Sequence, residues 1–228
     1  MSKPTGEPSI LLKAEGMSIW RAENLLVDEV DVCVTAGSIV QIQGSNGSGK
    51  TTLLRALIGL AEFDEGEIFW RGEPVRRVRD EMHAALIYLG HKAGITAGLT
   101  PLENLLSLCP ELGGDEGGEP AARQRIRQVL NELGIGERID LPSAALSAGQ
   151  QRRVALARLR LQSADLWVLD EPLTSLDANG HEWVKAEIQR HVGEGGAVMF
   201  TTHQSLSFEP LPVQTLQLTG DRQAIGNQ

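Results

Sequence analysis

Apolar residues in this chain follow two kinds of strand pattern and one helical pattern. Asp31-Val32-Cys33-Val34-Thr35 alternates polar and apolar positions, the period of a strand with one face buried. It closes a longer extended stretch, Leu25 to Val34, and Ile10 to Ile19 precedes it as a first strand. Ala36-Gly37 turns the chain into Ser38-Ile39-Val40-Gln41-Ile42-Gln43, a buried strand. Three other runs are continuous rather than alternating: Ala84 to Leu89, Leu166 to Leu169 and Ala197 to Phe200. Strands of a parallel sheet covered on both faces have this character. Gly66 to Gly72 reads as a short strand ending in a turn.

Helical spacing appears between the last strands. Ile126, Val129, Leu130 and Leu133 recur on one face of a helix over Arg123 to Leu133. Thr100 followed by Pro101 is an N-cap and first-turn pair for a helix through Leu106. Arg153 to Leu161 reads as one long helix, and Thr52 to Leu60 as another. Residues 90–99 hold three glycines and few large apolar groups, which predicts a mobile loop. Pro110 to Pro120, rich in glycine and acid, predicts an exposed linker. Arg76-Arg77-Val78-Arg79 reads as a solvated basic face, and residues 1–9 as a frayed polar terminus. The predicted fold class is α/β, one domain over 1–228, with a helical subdomain at about 90–162 inserted into the core.

Between the buried strand and the helix at Thr52 lies Gly44-Ser45-Asn46-Gly47-Ser48-Gly49-Lys50-Thr51, which meets every fixed position of G-x-x-x-x-G-K-[ST]. The residue types follow from the chemistry of a triphosphate such as ATP. Glycines let backbone N–H groups point inward, and the helix behind them offers unpaired N–H groups and its positive dipole end. Lys50 adds a full charge at the β and γ phosphates. The Thr51 hydroxyl suits Mg²⁺, and Thr52 the α phosphate.

Bulk properties narrow the partners. The chain has 228 residues, 41% hydrophobic and 22% charged, with a net charge of -9 and a pI near 5.1. A sequence-independent nucleic-acid binder is usually basic, so that partner is disfavoured. No apolar run reaches the roughly 18–20 residues that cross a bilayer. Met1 to Glu7 lacks the order of a signal peptide, which predicts a chain that stays in the cytosol. Cys33 and Cys109 are far apart and predict two buried or half-buried free thiols.

Further chemistry sits at the predicted strand ends. Leu166-Trp167-Val168-Leu169 delivers Asp170 and Glu171 to the sheet edge where ligands bind in open α/β folds. Asp170 there suits the Mg²⁺ shell, and Glu171 the attacking water. His203, at the end of Ala197 to Thr202, can hydrogen-bond both a γ phosphate and that water. Leu146-Ser147-Ala148-Gly149-Gln150 precedes a helix. Ser147 and Gly149 there form either a second anion-binding end, serving another molecule's nucleotide, or a capped helix behind a glycine turn. Trp20, in the turn between the first two strands, is either an adenine-stacking platform or an ordinary half-buried tryptophan.

Taken in order, these stretches resemble the ATP-binding cassette (ABC) ATPases across nearly the whole chain. Gly44–Thr51 matches the family's Walker A, and LSAGQ at Leu146–Gln150 its signature, with Ala148 in place of a glycine. Leu166–Asp170 with Glu171 matches Walker B and the catalytic glutamate, Ser175-Leu176-Asp177 the D-loop, and His203 the H-loop. His91 stands where the family has a glutamine that links Mg²⁺ and water to the helical subdomain. The GHK stretch at Gly90–Lys92 and the motifs around Ser147 and His203 are similar to the CcmA or haem-exporter ATPases of bacterial cytochrome c biogenesis. That resemblance implies an antiparallel β subdomain and pairing with a second copy, ATP held between Lys50 and Thr51 of one and Ser147, Gly149 and Gln150 of the other. It also implies a multi-span membrane permease, further haem-handling membrane subunits, and a place at the cytoplasmic face of the inner membrane. Two other classes stand beside it, a soluble cassette ATPase without a permease and a kinase using the same loop. The kinase leaves Leu146–Gln150 unexplained.

Overall fold

The described residues of the computed structural model are 9–114, 117–202, 207–218 and 225–226. In chain order the elements are β1 (Ile10–Arg21), β2 (Asn24–Thr35), β3 (Ile39–Gly44), α1 (Lys50–Leu57), β4 (Glu65–Trp70), β5 (Glu73–Pro74) and α2 (Val75–Ala84). Then come β6 (Leu86–Leu89), α3 (Pro101–Leu108), α4 (Gly118–Glu132), α5 (Ala148–Leu156), α6 (Arg158–Leu161) and β7 (Leu166–Asp170). The chain ends with α7 (Ala178–Gly193), β8 (Ala197–Thr201), β9 (Val213–Leu218) and β10 (Ile225–Gly226).

Two sheets result. One is antiparallel, ordered β2-β1-β4-β5. Its inward positions Val30, Val32 and Val34 alternate with exposed ones, and they join Leu53, Leu54 and Leu57 of α1 in one core. The other is ordered β10-β9-β3-β8-β7-β6, parallel except for the pairing of β10 with β9. All five residues of β7 and all five of β8 are buried, which explains the unbroken apolar runs. Each such side chain is stabilised by roughly 1.5–3 kcal/mol relative to exposure.

Between β6 and β7, which are neighbours, the chain makes its helical excursion, α3 to α6. This part has a core of its own around Leu105, Ile126, Leu130, Val154 and Leu161. At the opposite end of the sheet from the phosphate loop, Trp167 stacks on His191 with ring centroids 4.0 Å apart. Burial pulls that imidazole down to about 4, so it is neutral near pH 7.

The basic cluster at Arg76–Arg79 is solvated as expected, its three arginines exposed on a helix, α2, that buries only Val75 and Met82. Several other sequence expectations need correcting. The expected linker at Pro110–Pro120 instead contains a 3₁₀ turn, Pro110–Gly114, pinned by buried Leu112, and the first turn of α4. The expected long helix from Arg153 starts earlier, at Ala148, and breaks at Ala157 into α5 and α6. Cys33 is exposed, because it occupies an outward position of alternating β2, while Cys109 is buried and its thiol is pushed up to about 12 by burial. Trp20 lies within β1, not in the turn, which falls at Ala22-Glu23.

Candidate functional site

β3 enters the phosphate loop from the middle of the parallel sheet. Gly47 and Gly49 take φ of 83° and 90°, a region that costs L-residues, and Gly49 is the N-cap of α1. No side chain caps α1 and no acid occupies its first turn, so its N–H groups are open to an anion. A Cβ on Gly44 would overlap Ser48 Oγ and come within 2.8 Å of the Leu218 carbonyl. Lys50 is 6% exposed, and its Nζ donates to the Gly44 and Ser45 carbonyls at 2.8 and 2.9 Å. Ser48 Oγ is buried without a partner. An orphaned hydroxyl, an uncapped helix and a folded-over lysine fit a group rich in phosphate oxygens. Thr52 is half-buried in the first turn of α1.

The ends of β7 and β8 lie at the same sheet edge. Asp170 pairs with Thr201 in register, and Ile42 of β3 pairs with Thr201 on its other side. The Thr51 hydroxyl donates to the Asp170 carboxylate, 3.0 Å from Oδ1 and 2.9 Å from Oδ2. Thr201 Oγ1 donates to Asp170 Oδ1 at 2.7 Å and accepts from the Glu171 N–H at 2.9 Å. Thr174 Oγ1 donates to Glu171 Oε2 at 3.2 Å. Glu171 has φ of 49°, an uncommon conformation for a residue with a Cβ. A hydroxyl facing a carboxylate supplies the hard oxygen donors that Mg²⁺ takes, with phosphate and water as its usual remaining ligands. The residues present therefore fit that ion.

The signature stretch is built differently. Ser147 is the N-cap of α5 in a reciprocal box: Ser147 Oγ accepts from the Gln150 N–H at 3.3 Å, and Gln150 Oε1 accepts from the Ser147 N–H at 3.0 Å. Neither side chain bonds to residues 44–52. A Cβ on Gly149 would overlap the Ser175 carbonyl, so this glycine is set by the close passage of the loop after β7. Asp177 caps α7 through the Gly180 N–H at 2.8 Å and pairs with Arg153 at 2.5 Å. The Gly180 bond, then Arg153, holds its carboxyl below the usual range.

Other expected site residues stand as follows. Trp20 is 43% exposed and pairs with Leu25, the residue before Leu26, which lies against Gly49. His91 is exposed in the loop after β6 and bonds to no other described residue. His203 lies outside the described residues, two positions beyond Thr201. Two residues at this edge lie in the stretches around His203 and Ser147 but were given no role from sequence: Thr201, which joins Asp170 to Glu171, and Arg152, whose buried guanidinium reaches the same strand end. Thr201 closes an apolar run with a polar residue, and nothing local marks Arg152 as buried.

Comparison with known proteins agrees with this geometry. The family model described as ABC transporter matches residues 27–174. The cytochrome c biogenesis ATP-binding export proteins CcmA 2 of Salmonella paratyphi A and CcmA of Salmonella typhi are each 46% identical over 210 residues, 92% of this chain and 98% of theirs. The CcmA protein of Yersinia pestis is 45% identical over 196 residues, 86% of this chain and 87% of that one. Among solved structures, an ATP-binding subunit of an ABC transporter superposes with a TM-score of 0.80 at 23% identity, covering 95% of this chain and 90% of that one. A dimeric post-hydrolysis state of an ATP-binding cassette bound to ADP and Pi also reaches 0.80, at 21% identity, covering 94% and 98%. Both share the fold.

Proposed function

This chain belongs to the ABC transporter family and, within it, to the CcmA group of cytochrome c biogenesis ATP-binding export proteins; from that premise we propose that it hydrolyses ATP as one of two identical subunits driving a membrane permease. The whole chain acts as one ATPase domain, and the helical part, about 90–162, is its signalling subdomain. The observation that carries this reading is the bond from Thr51 to Asp170, which joins phosphate loop and acidic strand end across 119 residues.

The chain's own residues divide the work. Backbone N–H groups of residues 45–51 surround the β and γ phosphates, and Lys50 Nζ neutralises them. Trp20 stacks on the adenine, and Thr52 meets the α phosphate. Thr51 and Asp170 would hold Mg²⁺, which would offset phosphate charge. Glu171 orients the attacking water and takes its proton, and His203 hydrogen-bonds the γ phosphate and that water. Ser147, Gly149 and Gln150 of the second copy close over the same γ phosphate, so ATP joins the pair and ADP does not. His91, at the loop leading into the helical part, passes the state of the site to the permease.

The names of the relatives place them in export for cytochrome c biogenesis. We assign this chain the corresponding step: from the cytoplasmic face of the inner membrane, beside further haem-handling subunits, it powers release of a haem-loaded chaperone. No helix among the described residues is long and apolar enough to cross a membrane, as suits a subunit held there by its permease.

Glu171→Gln tests the reading. The variant binds ATP and is trapped as a pair on size exclusion, while turnover falls by about a hundredfold or more. Normal hydrolysis by the variant removes Glu171 from the role. Membranes solubilised in detergent and pulled down on the tagged chain should yield a multi-span protein; recovery of the chain alone refutes the permease.

A further inference from the structure

Arg152 stands inside α5, 5% exposed; both terminal nitrogens of its guanidinium are spent on backbone, while Nε is buried without a partner. Nη1 donates to the Gly90 carbonyl at 2.5 Å, and Nη2 to the carbonyls of Asp170 and Glu171 at 2.9 and 3.1 Å. Those carbonyls belong to two neighbouring strand ends: one just before His91, the other carrying the acidic pair. Burying a guanidinium is costly unless its donors are taken. Burial does lower Arg152 from its ordinary value, and the nearby Asp170 and Glu171 oppose that.

The consequence falls on Glu171. Its φ of 49° needs surroundings that over-determine it. Both of its backbone groups are fixed: the N–H by Thr201 Oγ1, and the carbonyl by Arg152 together with the Thr174 N–H at 3.2 Å. The geometry points to Arg152 as a positioning residue for ATP hydrolysis, one that holds Glu171 in its strained conformation and fastens it to the helix capped by Ser147. Engagement of Ser147 with a second copy's nucleotide is thereby carried through α5 to this chain's own Glu171 and to the loop at His91. A planar fork spans three carbonyls, which glutamine cannot do and lysine does only in part. This inference rests on the ATPase reading above.

The test uses the full chain with Arg152→Gln and Arg152→Lys. Expected is a kcat lowered about 10- to 100-fold in Arg152→Gln, with KM for ATP within about threefold and partial recovery in Arg152→Lys. In the Glu171→Gln background, Arg152→Gln should leave ATP-induced pairing intact and lower the residual turnover no further, because the two residues act as one unit. Loss of pairing, or a further loss in the double variant equal to that of the single, overturns the inference. So does a kcat kept at the unsubstituted level while only the melting temperature falls. Where Arg152→Gln does not fold, Arg152→Lys in both backgrounds is read in the same way. An unsubstituted chain that hydrolyses no ATP refutes the ATPase reading itself, a result distinct from any of these.

Discussion

The acidic sheet edge and the signature helix handle their polar groups in opposite ways. At the edge the bonds are long-range: Thr51 reaches Asp170 over 119 residues, and Thr201 reaches it over 31. At the signature they are local, with Ser147 and Gln150 satisfying each other three residues apart. The edge is assembled by folding of this chain and is left with an orphaned hydroxyl, Ser48 Oγ, and an uncapped helix. The signature is self-contained, its two side chains bonded to each other's backbone.

That contrast can be broken from either side. The largest effect is expected of Ser147→Arg, which fills the cap with a bulky cation and leaves the edge untouched. ATP binding to the isolated chain should survive while turnover falls about a hundredfold or more. Nucleotide titration beside a phosphate-release assay checks this, and equal loss of both would place the signature in the chain's own site. A smaller effect is expected of Thr201→Val, which removes the hydroxyl between Asp170 and Glu171 at constant volume. It should cost about 1–3 kcal/mol of stability and about tenfold in kcat, read by urea denaturation and steady-state kinetics. Smallest is Gln150→Ala, which opens the reciprocal cap. It should cost on the order of 1 kcal/mol by denaturation with ATP affinity of the isolated chain unchanged. A large loss of that affinity would mean the cap supports the phosphate loop after all.

Legibility of the sequence followed the same division. Parallel strands announce themselves because burial on both faces demands continuous apolar runs, and β6, β7 and β8 stood out for that reason. The phosphate loop is readable because close approach of backbone to phosphate restricts its residue types. Elements that bury little were hidden: α2 sinks only Val75 and Met82, and the turn at Pro110–Gly114 only Leu112. Thr201 and Arg152 matter through residues far away in sequence. Two adjacent arginines in a helix look like surface charge, yet Arg152 is buried and Arg153 is tied to Asp177 and the Leu133 carbonyl. Contacts made only after the chain has closed on itself leave no local pattern.

The helical excursion leaves the sheet after Leu89 and returns at Leu166 on the adjacent parallel strand. Because the strands run the same way, departure and return lie at opposite ends of the strands, about 10 Å apart along them at some 3.3 Å per residue. The excursion is also pinned along that strand-length, because Leu156 and Leu159 sit in one core with Leu89 and Trp167. α5 and α6 are therefore shared between the sheet's core and that of α3 and α4, which holds Val154 and Leu161. The cap at Ser147 thus opens a helix bolted to the sheet through Arg152 and Leu156.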